Sequence, residues 1–581
     1  MPNSKDFNRF SVNPVNIDIS RSIFNMDHSI KFSCNVGEVI PFEVTEVLPG
    51  DTFEVDTTKV VRLQPLVAPI MDEVIMDVYW FFVPNRLVWN HWINFMGENT
   101  ESAWTPQTEY NIPLIRIPTG GFNQGTIADY MGVPIKSGAT TFISALPFRA
   151  YALVCDQWFR SEAIMNPVHV HTDDTTRAGV NTGDQVTDIE LGGKPFIACK
   201  FFDYYTSALP SPQRGNPVEI PIITGSSYAP VVSVDPSDIG TSHPQSAGRD
   251  VRDFHSPLKF STAKNNSGTY NDNFGASTTQ YLVGINNVEN SANIGNATWK
   301  SQASLTAYND YGLYPSNLYA DMYFADFNSV TVNDLRTAFA IQKYLEKSAR
   351  YGGRYIEHIK AFFNVDSPDA RLQRSEYLGG SRISLNINQV ENQSLNTDAP
   401  LGHVGGMSVT ADSNSDFTKS FTEDGLLIGC AVLRYHHTYS QGLDRMWTRK
   451  SVYDFYNPVF ANLGEQGIRK DELFLTNDSI ANSSVFGYQE IWAEYRYRPN
   501  RVAGEMRPTA DNSLAMWHLG DKYTSAPTLS PAWLREDKAM LDRALAVTSS
   551  VANQCICDFY INMKATRPMP LYSIPGLIDH H

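Results

Sequence analysis

Three groups of residues have the types and spacing that metal or acid–base chemistry asks for: His169-x-His171, His436-His437 and Cys555-x-Cys557. A bound metal needs three or four such ligands to converge, and neither a CxxC nor an HExxH occurs to supply the rest. The two thiols would share one face of a strand, but no second pair accompanies them. Adjacent carboxylates at Asp72-Glu73, Asp173-Asp174 and Glu423-Asp424 would serve as acid and base only if they faced one substrate. Neighbours on a strand point to opposite faces, so solvated loops account for them better. The glycine-rich stretches Gly352-Gly353, Gly379-Gly380 and Gly402-His403-Val404-Gly405-Gly406 lack the lysine and the strand-to-helix setting of a phosphate loop, and turns or caps account for them. The sequence therefore predicts no catalytic residue, no metal ligand and no cofactor site.

The elements that would carry any site are organised around residues 65–98, PLVAPIMDEVIMDVYWFFVPNRLVWNHWINFMGE. From Glu73 to Val83 one alternate set is Val74, Met76, Val78, Trp80 and Phe82, and the other is Ile75, Asp77, Tyr79, Phe81 and Val83. Both faces are largely apolar, which predicts a strand covered on both sides. Pro84 ends it, and Leu87, Val88, Ile93 and Phe95 predict a helical turn or two stopping near Gly97. Trp80, Phe82, Trp89 and Trp92 are the candidate core or interface aromatics, since rings of this size hide much apolar area.

Composition sets limits. At 581 residues the chain exceeds the ~250–300 at which single cores stop growing. Hydrophobic residues at 42% exclude disorder, and charged residues at 19% leave a neutral polar surface suited to protein contacts. A net charge of −16 argues against a generally basic nucleic-acid binder. No charged-then-apolar leader opens the sequence, and the longest uncharged apolar run, Leu426 to Leu433, is far below the ~20 residues of a membrane span, so a soluble protein is expected. Six scattered cysteines fit reduced thiols better than a disulfide scaffold.

In chain order, residues 1–36 read as an extended N-terminal arm without sustained periodicity, and 37–223 as strands with one helical connection over 146–164. Residues 224–310 read as an exposed insertion, because 26 of the 50 residues from Ser261 to Asp310 are Ser, Thr, Asn or Gly. Residues 311–581 carry a helix over 332–351, a buried strand over Leu426–Tyr435, an aromatic edge or loop over Val485–Tyr497, and a last strand in which Cys555, Cys557, Phe559, Ile561 and Met563 share a face. Many strands with long connections and no βαβ rhythm predict a mainly β sandwich or jelly roll.

Several long segments resemble one family: PLVAPIMDEVIMDVYWFFVPNRLVW at 65–89, LPFRAYALVCDQWFR at 146–160, SARYGGRYIE at 348–357, SPDARLQRSEYLGGSRISLNINQV at 367–390, FGYQEIWAEYRY at 486–497 and KATRPMPLYSIPG at 564–576. They are similar to the major capsid proteins of the Microviridae, within these the gokushovirus branch of bacteriophages. The resemblance implies an eight-stranded viral jelly roll with long inter-strand insertions and a few short helices. It implies a virion protein that self-assembles through pentamers into a T=1 icosahedral shell in the host bacterial cytoplasm. The implied partners are circular single-stranded DNA, a small basic DNA-binding virion protein, and a bacterial surface receptor met through the insertion.

Residues 332–382 hold nine Lys or Arg against six Asp or Glu, a local basic excess in an acidic chain. Arg350, Arg354, Arg371 and Arg374 within it are candidate DNA-facing residues, and salt bridges at subunit contacts are the equal alternative. The opposing function is a jelly-roll carbohydrate-binding protein or glycoside-acting enzyme, since acidic, aromatic-rich sandwiches also bind sugars.

Overall fold

The computed structural model describes residues 20–98, 109–136, 141–216, 332–352, 354–393 and 401–572, with positions 138 and 218 and four three-residue strands between 231 and 320. The chain divides into one unit of residues 1–216 with 343–581 and a second of residues 217–342. In the second, Phe260–Thr262 pairs with Leu313–Pro315 and Val231–Ser233 with Leu318–Ala320. Most of the expected insertion at 224–310 lies outside the described residues.

The first unit is built from strands β1 (Ser22–Asn25), β2 (His28–Cys34), β3 (Ile40–Val47), β4 (Thr52–Leu63), β5 (Val74–Pro84), β6 (Glu376–Ser384), β7 (Thr410–Ser420), β8 (Gly425–Tyr435) and β9 (Cys555–Arg567). All pair antiparallel. In one sheet β9 lies between β4 and the N-terminal β1 and β2, with β7 beyond β4; the other runs β6, β5, β8, β3. Period-two alternation points Cys555, Cys557, Phe559, Ile561 and Met563 of β9 and Phe53, Val55 and Val61 of β4 at the facing sheet. Phe42 meets Phe559 edge-on with centroids 5.2 Å apart, and Phe82 meets Phe421 at 4.5 Å. The sheets therefore pack face to face over an aromatic interior.

The second sheet is also covered outside, as the two apolar faces of β5 require. Phe81 and Val83 of β5 and Ile428, Cys430 and Val432 of β8 pack under helix α1 (Leu146–Val154), which continues as a π turn over Cys155–Phe159. Tyr151 Oη donates to the Val39 carbonyl at 2.6 Å and fastens α1 to this layer. Trp80 and Trp89 are fully buried and Phe82 nearly so, which puts these three in the core, while Trp92 is half-buried against the outer layer.

Part of the expected N-terminal arm is instead strand. β1 and β2 pair with β9 from Ser22 opposite Arg567 to Cys34 opposite Cys555, and Phe32 and Cys34 enter the core. The break between β1 and β2, where Asp27 accepts the Met563 N–H at 3.2 Å, interrupts the alternation and hides it in the sequence. Gly379-Gly380 is likewise no turn: it lies within β6, where a Cβ on Gly379 would stand 2.3 Å from the Asp416 carbonyl oxygen.

That close approach serves a buried polar cluster. A bulge between Ser415 and Phe417 turns the Asp416 carboxylate inward, where it accepts from Trp80 Nε1 of the opposite sheet at 2.9 Å and from the Thr57 hydroxyl. Lys59, on the inner face of β4, is fully buried and donates to Ser381 of the other sheet. Burial pulls its pKa down, and the attraction of Asp416 and Asp412 opposes that.

Two stability outcomes are expected in urea unfolding of the free subunit. Trp80→Ala loses ~3–5 kcal/mol through transfer energy and a cavity. Asp416→Ala loses about 3–5 kcal/mol by leaving the Trp80 indole and Thr57 hydroxyl without their acceptor and Lys59 with only Asp412 to oppose its burial, whereas Lys59→Met combined with Asp416→Asn loses far less. Unfolding midpoints of the two single variants close to wild type would contradict this placement.

Candidate assembly interface

After β8 the chain leaves the sandwich, and from Met446 to Leu463 it makes short 3-10 turns at Arg445–Thr448, Val452–Asp454 and Pro458–Phe460. Each turn is closed by a local side chain that would otherwise compete with regular structure. Asp444 accepts the Met446 N–H at 3.0 Å, and Asn457 accepts the Val459 N–H at 3.0 Å. Ser451 accepts from Tyr453 at 3.1 Å, and Asp454 accepts from the backbone of Lys450 and Ser451 at 2.8 and 2.7 Å.

The underside is pinned. Trp492, buried and in a left-handed conformation at φ 66°, donates from Nε1 to the Phe460 carbonyl at 3.0 Å and meets Tyr456 edge-on at 5.8 Å. Arg449 lies 4.3 Å from the Tyr495 ring centre and 3.2 Å from the Glu494 carboxylate. The expected aromatic edge at Val485–Tyr497 is thus strand Val485–Glu490 followed by a 3-10 turn at Ala493–Tyr495 that carries this support.

The outer face is apolar. Eight of the eighteen residues are large hydrophobics open to solvent: Met446, Trp447, Val452, Tyr453, Phe455, Tyr456, Val459 and Leu463. Val452 and Val459 are each 82% exposed, Trp447 68%. A segment held in one conformation with its apolar side outward carries a solvation cost that only a covering partner removes. Its chemistry is association. A second apolar face lies on helix α3 (Tyr355–Phe363), which buries none of its residues and exposes Tyr355 and Phe363.

The four candidate arginines do not form one surface. Arg350, near the end of helix α2 (Val332–Tyr351), pairs with Glu465 at 2.8 Å and Glu490 at 3.6 Å. Arg354 donates to the carbonyls of Asp156 and Arg160 at 3.1 and 2.9 Å, so it caps the π turn after α1. Arg374 lies 4.3 Å over the Trp158 ring and 3.4 Å from Asp369, and burial together with the nearby Arg354 lowers its pKa. Arg371 is exposed.

The histidine pairs hold structure. His436 stacks on Phe201 at 4.9 Å, and the His171 ring pairs with Glu190. His437, fully enclosed, bridges Asp521 at 2.9 Å and Glu536 at 3.0 Å, with Lys200 3.4 Å from Asp521. Burial opposes the imidazolium charge, yet the two carboxylates outweigh it and hold the His437 pKa at about 9. Asp521, despite burial, is held below the usual carboxylate range by His437 and Lys200. The sequence alone does not join these four, because 321 positions separate Lys200 from Asp521.

Comparison with known proteins matches residues 14–577 to the family described as capsid protein (F protein). The chain is 37% identical to capsid protein VP1 of Spiroplasma virus 4 over 580 residues, covering 98% of this chain and 97% of that one. It is 37% identical to capsid protein VP1 of Chlamydia phage 1, covering 98% of each, and 35% identical to that of Bdellovibrio phage phiMH2K, covering 96% of each.

The buried ion cluster has a pH signature. Because the folded His437 pKa lies above its unfolded value of ~6.5, its contribution is complete below that pH and is lost as pH rises through about 9. Asp521, shifted down, contributes above the unfolded carboxylate pKa of ~3.9 and loses its share as pH falls below it. Thermal melts should show a decline from neutral pH to above pH 9 that His437→Gln flattens; an unchanged pH profile in that variant contradicts the assignment.

Proposed function

The chain belongs to the capsid protein (F protein) family and is a structural, non-enzymatic virion subunit, and on that premise we propose that it builds a T=1 shell, one subunit per asymmetric unit and pentamers as building units, around circular single-stranded DNA. The observation that carries this reading is the pinned apolar face of residues 446–463, which needs a partner surface of about 800 Å² per side to be covered in a stable contact. Another copy of the chain is that partner.

The succession of strands supports an eight-stranded viral jelly roll as the wall. β2, β9, β4 and β7 form one sheet and β6, β5, β8 and β3 the other, so the chain crosses between sheets at nearly every connection. The wall comprises residues 37–223 and 311–581 together with β1 and β2, and the insertion at 224–310 projects outward to meet a bacterial surface receptor. Its Ser, Thr, Asn and Gly content supports that placement, because such a segment cannot supply a continuous core.

Genome contact rests chiefly on a small basic virion protein, since a chain of net charge −16 carries no overall excess of cations to neutralise packaged phosphate. Of the four candidate arginines, exposed Arg371 is the best placed for DNA. Arg350, Arg354 and Arg374 are already engaged within the chain, which favours neither DNA contact nor salt bridges at subunit contacts for those three. Assembly occurs in the host cytoplasm, where six unpaired cysteines stay reduced.

Val452→Asp combined with Val459→Asp should leave the free subunit's melting temperature near wild type while abolishing closed particles in electron micrographs. Normal particles from that variant would overturn the interface. Deleting residues 230–305 behind a short Gly/Ser bridge should give DNA-filled particles that fail to adsorb to cells, because closure entropy changes by only ~0.6 kcal/mol per doubling of loop length. Loss of subunit folding, or normal adsorption, would overturn the projection.

A further inference from the structure

Cys34 supplies the third thiol whose absence from the linear pattern counted against a metal site. It stands on β2 directly opposite Cys555 of β9, and Cys557 follows on the same inner face of β9. The three Sγ atoms lie within 4.8 Å of one another, with Cys555 and Cys557 at 3.7 Å. None of the three residues is more than 1% exposed. Cys155 and Cys430 lie together in the outer layer and Cys199 in a small separate cluster, away from this group.

Three thiolates around one ion at ~2.3 Å in trigonal geometry place their sulfurs about 4 Å apart, close to the 3.7 Å between Cys555 and Cys557, and Cys34 needs to close by no more than about 1 Å. Among the described residues no His, Asp or Glu joins the group, so three sulfurs are the whole donor set. Three soft donors in an apolar surround select thiophilic ions over hard ones. We propose that Cys34, Cys555 and Cys557 bind one copper(I), a soft d10 cation that three thiolates satisfy without a fourth ligand, which ties the N-terminal strand β2 to the C-terminal strand β9 inside the wall. Binding is a ligand exchange: sulfur–metal bonds form, thiol protons leave to solvent, and nothing is oxidised. Since the sulfurs are sealed from solvent, the ion enters as the strands pair and leaves only when they separate.

The test is elemental analysis of purified particles washed with EDTA, before and after unfolding in guanidinium. About one copper per chain should survive the wash and be released on unfolding, and zinc in its place overturns the three-coordinate assignment. Cys34→Val with Cys557→Val, which keeps core volume, should carry none. Should that variant fail to fold, Cys557→Ser gives the same comparison. Metal content in wild type no higher than in the variant overturns the site, as does a disulfide between Cys34 and Cys555 revealed by two missing thiols in the unfolded chain.

Discussion

The wall depends on a carboxylate that two sheets share. Asp416 reaches inward from a bulge at the edge of one sheet, accepts a hydrogen bond from the indole N–H of Trp80 at the centre of the other, and with Asp412 attracts a fully buried lysine. An unpaired charge in such a place is far costlier than any one aromatic contact beside it. The geometry in turn requires Gly379, because a side chain there would collide with the bulge. Around it Trp80 packs against Phe42 and Phe417, and Phe42 against Phe559, which makes the aromatic interior.

Much of this frame is legible in the sequence, where a local period records it. β5 and β8 read as strands apolar on both faces, β9 as a strand apolar on one, and the helix Val332–Tyr351 from the spacing of Leu335, Ala338, Phe339 and Leu345. What escapes is non-local. Lys59 occupies an inward position of β4 that alternation assigns to an apolar side chain, and Asp416 and Asp412, each more than 350 residues away, explain it. Cys34 meets Cys555 across almost the whole chain. Arg350, Arg354 and Arg374 look like a free basic cluster until Glu465, Asp156 and Trp158 fold against them. Residues 446–463 show only irregular hydrophobicity in the sequence; their outward orientation is set by turns and by Trp492 beneath them.

The division of labour fits a shell protein. Stability resides in the double-sided burial of β5 and β8, so the surface is free to hold apolar side chains outward in a fixed pose. Pinning them in advance lowers the ordering cost when copies meet, and many individually modest contacts then add up around a closed assembly.

Hydroxyl-radical footprinting of Trp447, Tyr453 and Phe455, compared between free subunits and assembled particles, tests this account most directly. It predicts rapid oxidation of all three in the free subunit and strong protection in the particle. Equal reactivity in the two states would contradict it.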